Sequence, residues 1–211
     1  MSITAATDSG SLPCPGMSRR RCVPAIAAGL APACAPLAAH AARAAGPPGP
    51  PFEWLVPTPA PAGWKHVKML TGAAVFSYPP FLQPAKSGFG AITALHKDAQ
   101  GRSLVYVNAT PGQADEKLAT WPAYRLAVLR STTSKWAHEH GRAVDVPFNG
   151  GAGSCVLDDY LTRVGAHHYE EIACYVEGAH GGSVVVATTD ASTWPKEKRL
   201  LEQVVAAYRA T

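Results

Sequence analysis

Two groups of side chains in this 211-residue chain could do chemistry. The first is Asp158-Asp159 followed by His167-His168 and Glu170-Glu171. Carboxylates and imidazoles ligate divalent cations and serve as general acids and bases. If these residues lie on a hairpin, alternation sends adjacent members to opposite faces, so only about half can converge on one ion. The plainer reading is a polar hairpin balanced by Arg163 and neighbouring bases. The second group is His138-Glu139-His140. Read at the end of a helix, its imidazoles at i and i+2 diverge, unlike the i, i+4 pair of a zinc-binding H-E-x-x-H helix, and helix-end solvation accounts for them.

Nucleophile chemistry finds less support. Ser77, Ser103, Ser131, Ser134, Ser154 and Ser183 lie in no Gly-x-Ser-x-Gly elbow. The nearest approach, Gly151-Ala152-Gly153-Ser154-Cys155, lacks the glycine two places after the serine and reads as a strand-entry loop. Asn149-Gly150-Gly151-Ala152-Gly153 is rich enough in glycine for a phosphate loop, but such a loop leads into a helix N-terminus and here a strand follows. It reads as a flexible loop. Paired carboxylates for glycoside hydrolysis would need a deep aromatic cleft that nothing in the sequence implies. No catalytic, cofactor-binding or metal-ligating residue is assigned, and no cofactor is expected.

The cysteines say more. Cys14, Cys22 and Cys34 lie in the first 44 residues, leaving Cys155 and Cys174 in the body. Outside the cytoplasm such a pair suggests a disulfide. Cys155, Leu157 and Leu161 share one face at period 2, as do Ile172, Cys174 and Val176. Pairing 155 with 174 centres a turn between Val164 and Gly165, where glycine fits. Closing that loop contributes about 3 kcal/mol in the chain-entropy model. The alternatives are two buried free thiols or, less readily, a metal held by two cysteines without a CxxC.

Positioning these residues requires a sheet. His66 to Leu70 and Ala73 to Tyr78 read as strands closed by Pro79-Pro80, and Phe89 to Lys97 with Ser103 to Ala109 as a hairpin around Asp98 to Arg102. Asp115 to His138 is helical in composition, broken before Thr120 with Pro122 near a helix start, and Trp121, Tyr124, Val128 and Trp136 form one packing face. Arg142 to Phe148, Ser154 to Arg163, His168 to Glu177 and Ser183 to Thr189 give four more strands. The last two are joined by Gly178-Ala179-His180-Gly181-Gly182. Trp194 to Ala210 reads as a closing amphipathic helix with Ser192 or Thr193 as N-cap and Pro195 in its first turn. Short connections between strands exclude crossover helices, so the fold class is α+β, an antiparallel sheet flanked by helices.

Ahead of this body, Ser18-Arg19-Arg20-Arg21, an uncharged Ala-rich run from Cys22 to Ala39 and the small-x-small sites Ala39-His40-Ala41 and Ala42-Arg43-Ala44 follow the order of an export signal. Pro24, Pro32 and Pro36 and the run's short length argue against a spanning helix. The twin arginines resemble a Tat signal, although Cys22 stands where that motif has Phe, and Sec export stays open, as does a disordered tail. Met17 allows residues 1–16 to be an upstream extension. Leu30-Ala31-Pro32-Ala33-Cys34 loosely resembles a lipobox, which would lipidate Cys34 and tether the domain to a membrane. Residues 1–44 form the signal, the proline-rich stretch over 45–63 reads as a semi-rigid spacer, and 64–211 is one globular domain. Residues 1–44 carry four arginines against one acid, leaving 15 basic and 14 acidic side chains beyond it. So balanced a body has no footprint for nucleic acid.

Phe76-Ser77-Tyr78-Pro79-Pro80, a mid-chain helix, a hairpin from Tyr169-Glu170-Glu171 to Thr189, and Val184 to Thr189 leading into Trp194-Pro195 and the last helix resemble the PsbP-like fold. That fold is shared by extrinsic photosystem proteins, a nuclear Ran-binding family and LpqN-like secreted lipoproteins of actinobacteria. The resemblance covers about residues 64–211. It implies an α/β/α sandwich and a non-enzymatic role in which sheet and loops dock a protein or small ligand, and it carries over no site residue. An NTF2-like cone competes but places its helices before the main sheet. The expected function is an exported binding or scaffolding domain. The alternatives are a small secreted hydrolase or metal-dependent enzyme with a non-contiguous site, and a carrier with an apolar cavity of roughly 300 Å³ or more beneath one helix. Partner identity and oligomeric state stay open.

Overall fold

The computed structural model describes residues 49–211. The segment read as an export signal, with Cys34, lies outside the described residues. Ten strands and two helices follow in order: β1 (Lys65–Lys68), β2 (Ala74–Tyr78), β3 (Gln83–Ala85), β4 (Ile92–Lys97), β5 (Ser103–Pro111), α1 (Trp121–Val128), β6 (Ser134–Phe148), β7 (Gly151–Thr162), β8 (His168–Gly178), β9 (Gly181–Asp190), α2 (Trp194–Ala206) and β10 (Arg209–Ala210). One sheet has seven antiparallel strands in the order β3-β4-β5-β9-β8-β7-β6, the other three in the order β1-β2-β10.

The two faces of the large sheet bury alternate residues. Cys155, Leu157, Ile172, Cys174, Val185 and Ala187 form one core with Leu201, Val204 and Val205 of α2 and Phe76 of the small sheet. Their sequence neighbours Val156, Ala173, Val184 and Val186 face the other way and pack with Trp121, Leu126 and Leu129. Helices therefore cover both faces, which is why β7, β8 and β9 read as continuous apolar runs instead of alternating ones. Cys155 and Cys174 are direct partners across β7 and β8, fully buried and joined as a disulfide.

Several expectations need correction. The helix over Asp115 to His138 is much shorter. A 3-10 turn (Leu118–Thr120) precedes α1, a π-helical turn (Leu129–Thr133) follows it, and from Ser134 the chain is strand. The hydroxyls of Ser131 and Thr132 both bond back to the Val128 carbonyl, and Ser134 Oγ bonds that of Leu129. Such local bonds compete with helix continuation. Trp136 thus belongs to β6 and not to a helix face.

The closing helix likewise ends at Ala206, and Arg209–Ala210 turns back to pair with β2. Tyr208 is buried there and donates to Ser183 Oγ at 2.8 Å. Thr193 is the N-cap residue but its side chain makes no capping bond, and the Ser192 hydroxyl is taken up by Asp190.

The described part of the spacer over 45–63 is anchored to the domain by two buried side chains and a backbone bond. Phe52 and Leu55 are buried in the α2-side core, and the Thr58 amide donates to the Ala206 carbonyl at 3.2 Å. Phe52, Trp54 and Leu55 interrupt the prolines, and their apolar surface is what the core takes up. Pro51 lies so close to β6 that a Cβ on Gly141 would stand 2.2 Å from its Cδ.

The glycine-rich stretch after Phe148 is a tight hairpin turn, not a flexible loop. Phe148 pairs with Gly151, so Asn149 and Gly150 are the two turn residues, with Gly150 at φ 77°. Glycine suits the second turn position because left-handed backbone costs it nothing. A Cβ on Gly151 would meet the Glu177 carbonyl oxygen at 1.9 Å. The Asn149 side-chain amide donates to the carbonyls of Thr58, Ala206 and Tyr208 at 3.0, 3.0 and 3.3 Å, tying three segments to the turn.

Two outcomes follow for stability. Replacing Cys155 and Cys174 together by alanine lowers the free energy of unfolding by about 3 kcal/mol in chemical denaturation, since the bridge closes a 19-residue separation. Asn149→Ala, which removes the side-chain bonds to three backbone carbonyls, costs about 1–3 kcal/mol by the same measurement.

Candidate functional site

The α1-side face of the sheet is only partly roofed. Helix α1 has eight residues and packs on β6, β7 and β8, so the β9 and β5 strands continue beyond its edge. Between helix and sheet lies a cavity of about 440 Å³. Its floor comes from strand positions that repeat every second residue: Tyr160 opposite Tyr169, Tyr106 opposite Thr188, and Asn108 opposite Val186. Its wall is α1, anchored by Trp121, whose indole Nε1 donates to the Ala173 carbonyl at 3.1 Å. Tyr124, one helical step further, stacks at a tilt against Trp121 with ring centroids 5.9 Å apart.

Charge is buried at the same place. Arg125 reaches from α1 to the sheet and donates Nε and Nη2 to the two carboxylate oxygens of Glu171 at 2.7 and 3.0 Å. The Glu171 side chain is 1% exposed. Asp158 stands opposite Glu171 on β7, fully buried, and neither of its carboxylate oxygens has a hydrogen-bond partner among the described residues. Burial pushes its pKa far above the usual carboxylate range and the Glu171 charge adds to the shift, with Arg125 opposing. Asp158 is therefore a neutral acid at pH 7, beside the ion pair of Arg125 with Glu171. Burial and the same carboxylate hold the Tyr160 hydroxyl protonated. At the mouth, Glu116 Oε2 accepts from the Gln113 amide at 2.6 Å, and burial raises its pKa as well.

The residues singled out from sequence are divided by the sheet. Asp158 and Glu171 face α1, whereas Asp159, His168 and Glu170 lie on the opposite side. On that side the structure corrects the reading of His138-Glu139-His140. These residues are strand, and strand geometry puts i and i+2 on one face, so the imidazoles converge. His168 Nε2 lies 2.7 Å from Asp159 Oδ2, while His140 Nε2 and His138 Nδ1 lie 3.1 and 3.7 Å from Oδ1. Trp136 stacks on His138 at 4.7 Å. The rings surround the carboxylate instead of a common open point, and among the described residues no group of three or more His, Cys, Asp or Glu side chains is placed to hold a metal ion. Arg163 does not balance these acids. It donates to the backbone carbonyls of Arg130, Ser131 and Ser134. Ser154 is buried in β7, where its Oγ accepts from the Asp145 amide at 2.9 Å. Cys155 and Cys174 are sealed in the α2-side core.

No family model matches the chain, and no curated protein matches it. Solved structures do. CyanoP, the PsbP of the cyanobacterium Synechocystis, superposes with a TM-score of 0.50 at 14% identity, over 72% of this chain and 95% of its own. A Pseudomonas aeruginosa protein of unknown function gives 0.45 at 14% identity over 69% and 95%, and LpqN of Mycobacterium tuberculosis, involved in cell envelope biogenesis, 0.36 at 12% over 72% and 81%. The domain has the PsbP-like fold, the antiparallel sheet flanked by helices expected from the sequence.

The neutral acid has a measurable signature. Folding must protonate Asp158, so the stability this proton confers is complete below the carboxyl's ordinary pKa of 3.8 and is lost progressively as pH rises toward the folded value. Asp158→Asn, which needs no proton, gains on the parent by up to about 1.4 kcal/mol per pH unit from pH 4 to pH 7. Denaturation at both pH values checks this, the difference approaching zero at the acid end.

Proposed function

We propose that this chain is an exported, non-catalytic binding domain that holds a small organic molecule between α1 and the sheet. The observation that carries the reading is the cavity itself. At about 440 Å³ it lies in the range of small-molecule sites, and its lining mixes tyrosine rings with a few fixed polar groups, as such sites do. It exceeds the volume that a carrier would need, but its lining is more polar than a purely apolar cargo requires. Three features pre-organise it: the indole bond of Trp121 to Ala173, the two bonds of Arg125 to Glu171, and the bond from Thr93 Oγ1 to Asn108 Oδ1 at 2.9 Å. A preformed site loses less ordering entropy on binding.

Catalysis finds no support in the same geometry. A nucleophile, a base and a group orienting that base must meet at one point, and the serine nearest to such a motif, Ser154, is buried with its hydroxyl bonded to a backbone amide. The basic-apolar-small order of residues 18–44 supports export, and the Cys155–Cys174 bridge fits an oxidising compartment. A lipid on Cys34 would add a membrane tether.

Ligand-observed NMR against a library of small polar aromatics and amines tests the reading. Compounds that bind the parent lose at least tenfold in affinity to Val186→Phe, which places a ring into the cavity floor. A library without binders, or binders indifferent to Val186→Phe, overturns it.

A further inference from the structure

We infer that the ligand of this cavity is an organic cation, an ammonium or amidinium group carried on a small apolar or aromatic body. The inference rests on reading the cavity as a ligand site and specifies its chemistry.

Three ionisable side chains of full charge line the cavity: Glu116, Arg125 and Glu171. Arg125 is committed, with Nε and Nη2 both on Glu171, so this pair contributes no net charge. What is left is Glu116. It is 6% exposed, close to Asp115, and its one hydrogen bond within the described residues comes from the Gln113 amide to Oε2. Among the described residues Oε1 accepts no hydrogen bond and no side chain forms an ion pair with this carboxylate. A carboxylate largely withdrawn from water at the mouth of an aromatic-lined cavity gains from a positive group placed beside it. Its raised pKa is the same effect seen in the free protein.

The rest of the lining suits a cation and opposes an anion. Tyr106, Tyr124, Tyr160, Tyr169 and Trp121 bring aromatic rings to the cavity, and the face of such a ring attracts a cation, most strongly when both are shielded from water. No lysine or histidine lines the cavity, and its one guanidinium is spent on Glu171. An anionic ligand would meet the Glu116 charge, which Arg125 tempers while bonded to Glu171. A neutral ligand would leave that carboxylate with no counter-charge but Arg125, which is already bonded to Glu171.

Three probes of one size and different charge separate these cases: benzylamine as its ammonium ion, benzyl alcohol and benzoate, titrated into the full domain at pH 7 and followed by amide chemical shifts. The expected order is benzylammonium tightest by about tenfold over benzyl alcohol, with benzoate weakest. Glu116→Gln keeps the bond to Gln113, removes the charge, and lowers benzylammonium affinity to that of benzyl alcohol while leaving the alcohol unchanged. If the alcohol or benzoate binds as tightly as the ammonium, or if Glu116→Gln leaves the preference intact, the cation assignment is wrong while the ligand site stands. If all three bind Val186→Phe as they bind the parent, or none binds, both readings fail.

Discussion

The bond between Arg125 and Glu171 is the interaction on which the rest of the site depends. It joins a helix of eight residues to the middle of a seven-stranded sheet, and it does so with full charges behind a wall of aromatic rings. Such a pair is expensive to desolvate, and apolar side chains of the same volume would stabilise the junction at least as well. Its advantage is geometric. A bidentate guanidinium fixes both distance and angle, so α1 stands off the sheet at a set height. An apolar contact would let it settle and close the space.

A second constraint comes from the sheet. Its central strands are covered on both faces, yet the two faces have opposite characters. Toward α2 they present the disulfide and aliphatic side chains, a dry core closed further by Phe52 and Leu55. Toward α1 the same strands present Asp158, Tyr160, Tyr169 and Glu171 in register. The sulfur bridge joins β7 and β8 on the opposite face, three residues along each strand from the buried acids Asp158 and Glu171. Rigidity on one side thereby serves placement on the other.

Much of the architecture was legible in the residues. Short apolar runs bounded by turn residues located β2, β4, β5, β7, β8 and β9, and the placing of Cys155 and Cys174 symmetrically about the Val164–Gly165 bond pointed to both the hairpin register and the bridge. The fold resemblance rested on the order of those elements and holds in the structure. What misled was local. Residues 134–138 continue a helix-like composition, but hydroxyls at 131, 132 and 134 draw the carbonyls of the last turn aside, and the chain leaves as a long strand. With that, His138 and His140 changed from diverging to converging. Prolines over 45–63 suggested a semi-rigid spacer because composition does not reveal that Phe52 and Leu55 pack into the core. The cavity was less visible still. Its signal was the recurrence of Tyr and Asn at every second position of Ser103 to Ala109, and of Asp158 with Tyr160 and Tyr169 with Glu171, in strands otherwise apolar. The partner side of the site, Arg125, lies 46 residues from Glu171, and nothing local announces the pairing.

Central to this account is that the space under α1 is organised by one ionised pair beside a carboxylic acid kept neutral by burial. Carboxyl carbon NMR of protein labelled at aspartate, recorded from pH 3 to pH 10, examines this at the atom concerned. The account predicts that the Asp158 carbon keeps the shift of a protonated acid at pH 7 and moves only at markedly higher pH. A carbon that titrates near pH 4, as an ordinary aspartate does, would contradict it.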